Sequence, residues 1–325
     1  MKEIGGYFGL ELESGKEIFH DTPYHFKSGR SSLSFILQHQ QPKKVYVPFY
    51  TCDALLEPFI ENNISYSFYS INEAFEIVDL PQVEKGELIV YVNYYDLKRK
   101  YVEYLSDLFK DKLVVDCTQS YFVKGNNTSW FFNSARKFFG VPDGSDLYIP
   151  DGKSLYEEYE QLSVNESYLV DHLLLRFNGH TQKGYDFFKQ NEVLNNSDIC
   201  KMSLLSTSLL SRVDFSNSIQ VRENNFRYLH MALKNSNLLA LSLTEKTVSN
   251  FYPYLPSQYI GKEVFWNNKV FVPILWEDCI KRNMASDFNY ESTLCKKLIP
   301  IPIDHRYGLD DMQTIVKIMS TYGSI

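Results

Sequence analysis

Cysteine is scarce: five residues in 325, none in a Cys-x-x-Cys pair. That excludes a disulfide framework, and the odd number and wide spacing fit a reducing compartment. The seven histidines form no His-Glu-x-x-His spacing, so no structural metal is expected. No run of about 18 apolar residues occurs, which argues against a membrane-spanning helix. The opening MKEIGGYFGLELESGKE holds no apolar stretch of secretory length, and a cytoplasmic protein is expected. Basic charge is also short, with 33 Lys and Arg against 40 Asp and Glu, a formal net charge of −7. General nucleic-acid binding, which needs a basic stripe, is therefore not expected. The one dense basic cluster, Lys98-Arg99-Lys100, reads as a solvated helix start. Repeats and low-complexity segments are missing too, and with 44% hydrophobic and 22% charged residues the chain is not a disordered one.

What is present fits one large domain or two medium ones, with enough core to fold without a metal or cross-link. The 24 Tyr and 23 Phe favour β-rich segments and aromatic-lined pockets. Ser28 reads as a cap for a helix burying Leu33, Ile36 and Leu37. Lys43–Pro48 reads as a strand. Residues 52–62 read as a helix start broken by Pro58, and Ile64–Tyr69 as a second strand. Glu87–Val92 and Leu113–Val115, ending at Asp116, are apolar runs without polar alternation, as expected of strands covered on both faces. Tyr101–Lys110 is helical between them. Such alternation indicates βαβ units around a mostly parallel sheet, whose carboxyl ends line one ligand-binding edge.

From about residue 154 the pattern turns helical, with a polar loop at Asn178–Lys183 and an amphipathic stretch at Arg222–Leu233. That stretch leads into a smaller α+β domain, with strands expected at Lys269–Leu275 and Leu298–Ile301 and a last helix at Leu309–Met319. The expected division is a large α/β domain over 1–210 and a small C-terminal domain over 211–325.

The most informative stretch is Val114–Leu147. A carboxylate ends one strand, and Asp116-Cys-Thr-Gln119 follows from it. The next strand runs into Ser134-Ala-Arg-Lys137, and a Gly140-Val-Pro-Asp-Gly144 turn leads to a third. This order can place Asp116 and Lys137 on one sheet edge. Alone, a strand-terminal Asp is usually a turn residue, and Lys137 beside Arg136 is usually an exposed basic pair. Their joint order is what carries information. Cys117 reads as a small buried filler, and His180 and His305 as a surface and a structural histidine.

These segments resemble the DegT/DnrJ/EryC1/StrS family of sugar aminotransferases, fold-type-I enzymes dependent on pyridoxal 5'-phosphate (PLP). Ser28-Gly29-Arg30-Ser31-Ser32-Leu33 resembles the family's first helix start, and Pro48-Phe-Tyr-Thr51 its Pro-x-x-Thr. Arg222-Glu-Asn-Asn-Phe-Arg-Tyr-Leu and Ile301-Pro-Ile-Asp-His-Arg-Tyr-Gly, followed by Asp311-Met312, resemble the two ends of its small domain.

The resemblance implies a role for each matched position. Lys137 would attach the cofactor and shuttle the proton, and Asp116 would pair with the pyridine nitrogen. Gln119 would hydrogen-bond the ring hydroxyl or pack on the ring. Gly29, Arg30 and Ser134 would hold the phosphate at a helix N-terminus. It further implies a homodimer and a glutamate donor. The acceptor would be a nucleotide-linked keto sugar used for surface polysaccharide. The chain departs from the family at several points. Arg30 stands where Thr is usual and would either add a phosphate contact or point away. Cys52 stands where an aromatic residue often stacks on the ring, a role Tyr50 or Phe49 would otherwise take. Val115 precedes Asp116 where Glu is common, and Asn93–Lys100 lacks the usual His-x-Tyr-Gly loop. The shorter length implies trimmed sugar-site loops. The alternatives are a non-catalytic relative with a binding or regulatory role, and a PLP enzyme acting on amino acids.

Overall fold

Residues 8–12, 15, 18–241 and 247–321 are described by the structure, a computed structural model. Seven strands form the central sheet: β1 (Tyr24–Phe26), β2 (Lys44–Pro48), β3 (Ser65–Tyr69), β4 (Glu87–Val92), β5 (Leu113–Asp116), β6 (Trp130–Phe132) and β7 (Ser145–Tyr148). Their order is β1-β7-β6-β5-β4-β2-β3. The pairs β2–β3, β2–β4, β4–β5 and β5–β6 are parallel, and β7 runs against both its neighbours. The expected mostly parallel sheet is present.

Three helices, α1 (Gly29–Gln40), α2 (Asp53–Glu61) and α3 (Arg99–Phe109), join the early strands. Alternate residues of the apolar strands feed opposite faces. Leu88, Val90 and Val114 pack with Leu33, Ile36 and Leu37 of α1. Ile89, Tyr91 and Val115 join the other core, which runs on into the C-terminal third. Both faces are covered, so the strands show no polar alternation. Ser28 caps α1 as its sequence implies, accepting the Ser31 N–H at 3.0 Å.

The chain continues through α4 (Tyr156–Glu160), α5 (Asp171–Phe177), α6 (Thr181–Leu194), α7 (Leu204–Leu210) and α8 (Phe215–Leu233). It then forms β8 (Phe251–Tyr254), α9 (Glu263–Asn267), α10 (Asp278–Lys281), α11 (Asn289–Lys297), β9 (Ile299–Pro302) and α12 (Leu309–Thr321). β8 and β9 pair antiparallel.

Four local expectations are corrected. Pro58 does not break its helix: α2 runs through it, because Leu55, Leu56, Pro58 and Phe59 are buried as one face. That burial outweighs the one hydrogen bond a proline removes. Lys269–Leu275 is not a strand. Its backbone is used locally, with Val270 N bonded to Phe265 O at 2.9 Å and Val272 O to the Trp266 indole at 2.9 Å. The partner of β9 is instead Phe251–Tyr254, whose central Pro253 hides a strand that needs few ladder donors at an edge. The polar loop at Asn178–Lys183 shortens to a turn, since α6 begins at Thr181. Finally, Lys98 and Arg99 are not freely solvated: Lys98 pairs with Glu76 at 2.5 Å and Arg99 with the buried Asp96 at 2.6 Å.

Candidate active site

β5 and β6 are parallel and in register, Asp116 opposite Phe132, so both chains leave the sheet at one edge. Cys117 N bonds Phe132 O at 2.7 Å, holding the two exits together. From β6 the chain passes Asn133 and Ser134 into a 3-10 turn, Ala135–Lys137. That turn is fixed by Ala135 N to Gly144 O at 2.9 Å, while Gly144 N reaches Lys27 O at 2.7 Å. Gly144 has φ +132°, a conformation that favours glycine. Beside it the buried Asp143 carboxylate accepts the Ser203 N–H at 3.0 Å, the Ser203 hydroxyl at 2.7 Å, the Asn165 amide at 2.7 Å and the Ser206 hydroxyl. Turn chemistry thus becomes a rigid mount for Lys137.

The structure brings Asp116, Lys137 and Cys52 into one electrostatic neighbourhood. Asp116 is buried and its Oδ1 accepts the Thr118 N–H at 2.7 Å. Burial pushes its pKa up, and the Lys137 ammonium pulls the other way. The Lys137 side chain is exposed and forms neither a hydrogen bond nor an ion pair among the described residues. Cys52 caps the start of α2 half-buried, its thiol raised by burial and lowered by Lys137.

Gln119 is buried, its Oε1 accepting the Tyr95 N–H at 3.2 Å, which leaves its amide hydrogens for another acceptor. Ser134 caps the 3-10 turn half-buried without a side-chain cap bond. Gly29 opens α1 against the end of β6: a Cβ there would meet the Phe132 ring at 3.2 Å and Asn133 O at 3.3 Å. The Arg30 side chain reaches Glu57 at 2.5 Å and the Glu192 carbonyl at 2.9 Å. Tyr50 is fully buried, edge-on to Trp276 at 4.4 Å, and Phe49 stacks on Phe288 at 4.0 Å, so both rings belong to the core.

Other residues around the site carry no motif. Arg136 pairs with Glu192 of α6, whose carboxylate is also held low by Lys137 and Arg30. Tyr95 sits at φ +55° beside Gln119. Arg282, just past α10, clamps the 49–53 loop. None has a local signature, because each is brought in from a distant segment or hidden in a basic pair.

No protein-family model matches this chain, and no curated protein matches its sequence. Solved structures do share its fold. A DegT DnrJ EryC1 StrS aminotransferase from Brucella abortus aligns with TM-score 0.66 at 11% identity, covering 92% of this chain and 85% of that one. The putative sugar aminotransferase Spr1654 from Streptococcus pneumoniae, in its PLP form, aligns with TM-score 0.68 at 14% identity, over 93% and 88%. Helicobacter pylori PseC, an aminotransferase involved in the biosynthesis of pseudoaminic acid, aligns with TM-score 0.66 at 14% identity, over 94% and 89%. The chain therefore has the α/β fold of the fold-type-I PLP-dependent sugar aminotransferases. At such identity the likeness establishes the fold, and activity has to be argued from the site.

Proposed function

We propose that this chain is a PLP-dependent aminotransferase acting on a nucleotide-linked keto sugar. Glutamate is the donor, and the product serves surface polysaccharide synthesis in the cytoplasm. One observation carries the reading: an amine without a partner, Lys137, stands within the field of a buried carboxylate, Asp116, where two parallel strands end.

The residues fit the cofactor. Gly29 and Arg30 open α1, where Ser28 already satisfies Ser31 and the first N–H groups remain for a phosphate. The Ser134 hydroxyl, with no cap bond of its own, is the natural third donor. Asp116 would hold a proton at the pyridine nitrogen, and Gln119 would donate its amide to the ring hydroxyl. Cys52 would border the ring, while Tyr50 stays closed in the core against Trp276. When bound, the cofactor supplies an electron sink for bond breaking at the substrate carbon. Lys137 anchors it and moves the proton there.

Two neighbours in fold support the substrate class: Spr1654 is described as a sugar aminotransferase, and PseC as an aminotransferase in the biosynthesis of pseudoaminic acid. A homodimer is part of the proposal, with Leu174, Phe177 and Val193 exposed on the α5–α6 hairpin for a second copy to cover. So is the division into domains at residue 210/211.

Borohydride reduction of protein loaded with PLP, followed by peptide mapping, tests the reading. A phosphopyridoxyl adduct on Lys137 is expected, and its absence overturns the assignment. Glutamate should convert the bound cofactor to its pyridoxamine absorbance; a protein that holds PLP without this conversion is the non-catalytic relative instead.

A further inference from the structure

We infer that Arg136 is an oxyanion-binding fork of the Lys137 site, taking a carboxylate or phosphate in bidentate fashion. Placing it in a catalytic site rests on the reading above, while the anion binding itself does not.

The Arg136 side chain is 9% exposed. Its Nη1 ion-pairs with Glu192, but Nε and Nη2 are buried and make no hydrogen bond. Those two nitrogens form one edge of the guanidinium and direct two N–H bonds in parallel, the spacing that matches two oxygens of one carboxylate or phosphate. Buried donors left without partners are costly, so this unpaired edge calls for an acceptor, which reaches it when the side chains covering both nitrogens move aside. Phe188 lies against the face of the group, 5.7 Å from Cζ, and a face contact satisfies no N–H.

The Glu192 carboxylate lies in the field of Arg136, Lys137 and Arg30, and Arg30 pairs with Glu57. With Asp116 facing Lys137, these three cations meet three carboxylates, so the open valence at Arg136 is one of hydrogen bonds and not of net charge. A strut linking the 3-10 turn to α6 would need only the Nη1–Glu192 contact, which a lysine could make. The unused edge is the part a strut does not explain.

The oxyanion comes either from the cofactor's phosphate or from the substrate's carboxylate. Thermal midpoints of wild type, R136K and R136Q are compared in phosphate and in acetate against chloride at equal ionic strength. Wild type should be stabilised by the oxyanions, and both variants should bind them at least tenfold more weakly, since lysine keeps the charge and loses the fork. With the cofactor's phosphate as source, R136K weakens pyridoxal phosphate about tenfold and leaves pyridoxal unchanged. With the substrate's carboxylate as source, cofactor affinity holds. The glutamate concentration for half-maximal conversion then rises about tenfold. Oxyanion binding by R136K equal to wild type, or no oxyanion-specific stabilisation of wild type, overturns the proposal. Oxyanion binding through Arg136 without a borohydride adduct on Lys137 would instead sink the aminotransferase reading and leave the fork standing.

Discussion

Replacing Arg282 with alanine should cost the fold about 3–5 kcal/mol, summed over the bonds it makes. Its Nη1 donates to Phe49 O at 2.5 Å and its Nη2 to Thr51 O at 2.8 Å. It also pairs with Asp53 at 2.7 Å and lies over the Phe49 and Phe68 rings at 5.3 and 5.1 Å. A hydrogen bond to a charged group contributes about 1.5–3 kcal/mol, so the two carbonyls account for most of the loss. The Asp53 side chain is 59% exposed, which limits that pair to about 1 kcal/mol. The single Cys279 S–H lies within reach of both carbonyls, at 3.1 and 3.2 Å, and as one weak donor replaces only part of what they lose. Urea unfolding should show a lower midpoint with an unchanged slope. Lysine at 282 should recover less than half, because one ammonium cannot span both carbonyls and Asp53 in the planar arrangement. A loss below about 1 kcal/mol for R282A would refute the idea that this side chain fixes the loop carrying Cys52.

Two further outcomes follow from buried groups. Burial lifts Asp96 from an ordinary 3.8 to about 6, against the pull of Arg99. The folded state then holds a proton that the unfolded chain releases, so stability present below pH 4 is lost as pH rises through 6, by about 3 kcal/mol. Denaturation of wild type and D96N across pH 4–7 should diverge by that amount, and parallel curves would refute the assignment. At Gly144, φ is +132° and an added Cβ would lie 3.1 Å from the Ala135 Cβ and 3.2 Å from Met202 Cε. G144A should therefore cost about 1–3 kcal/mol by differential scanning calorimetry and loosen the mount of Lys137. An unchanged midpoint would show that the turn tolerates a side chain.

Much of the fold was legible because it is written in local patterns. The apolar runs Leu88–Val92 and Leu113–Val115 are short and lack polar alternation, which reads as strands covered on two faces, and that pattern is a property of each segment alone. Ser28 announces its helix because a cap is a contact between neighbours. The order of Asp116, Gln119, Ser134, Lys137 and Gly144 was likewise readable, since strand ends and turns are local signals. The same local rules misled at Pro58, where a buried face held the helix together, and at Phe251–Tyr254, where a proline masked an edge strand.

What the tertiary structure decided was every relation between distant segments. Nothing near Arg136 in sequence says that Glu192 meets one of its nitrogens and leaves two without a partner. Nothing near Cys52 says that Arg282, some 230 residues on, sets its loop, or that Lys137 and Asp116 share its field. Periodicity reports which face of a segment is buried, and it carries no term for what lies across the interface. Partner, charge balance and burial of a polar group are properties of the assembled chain, and only the folded protein holds them.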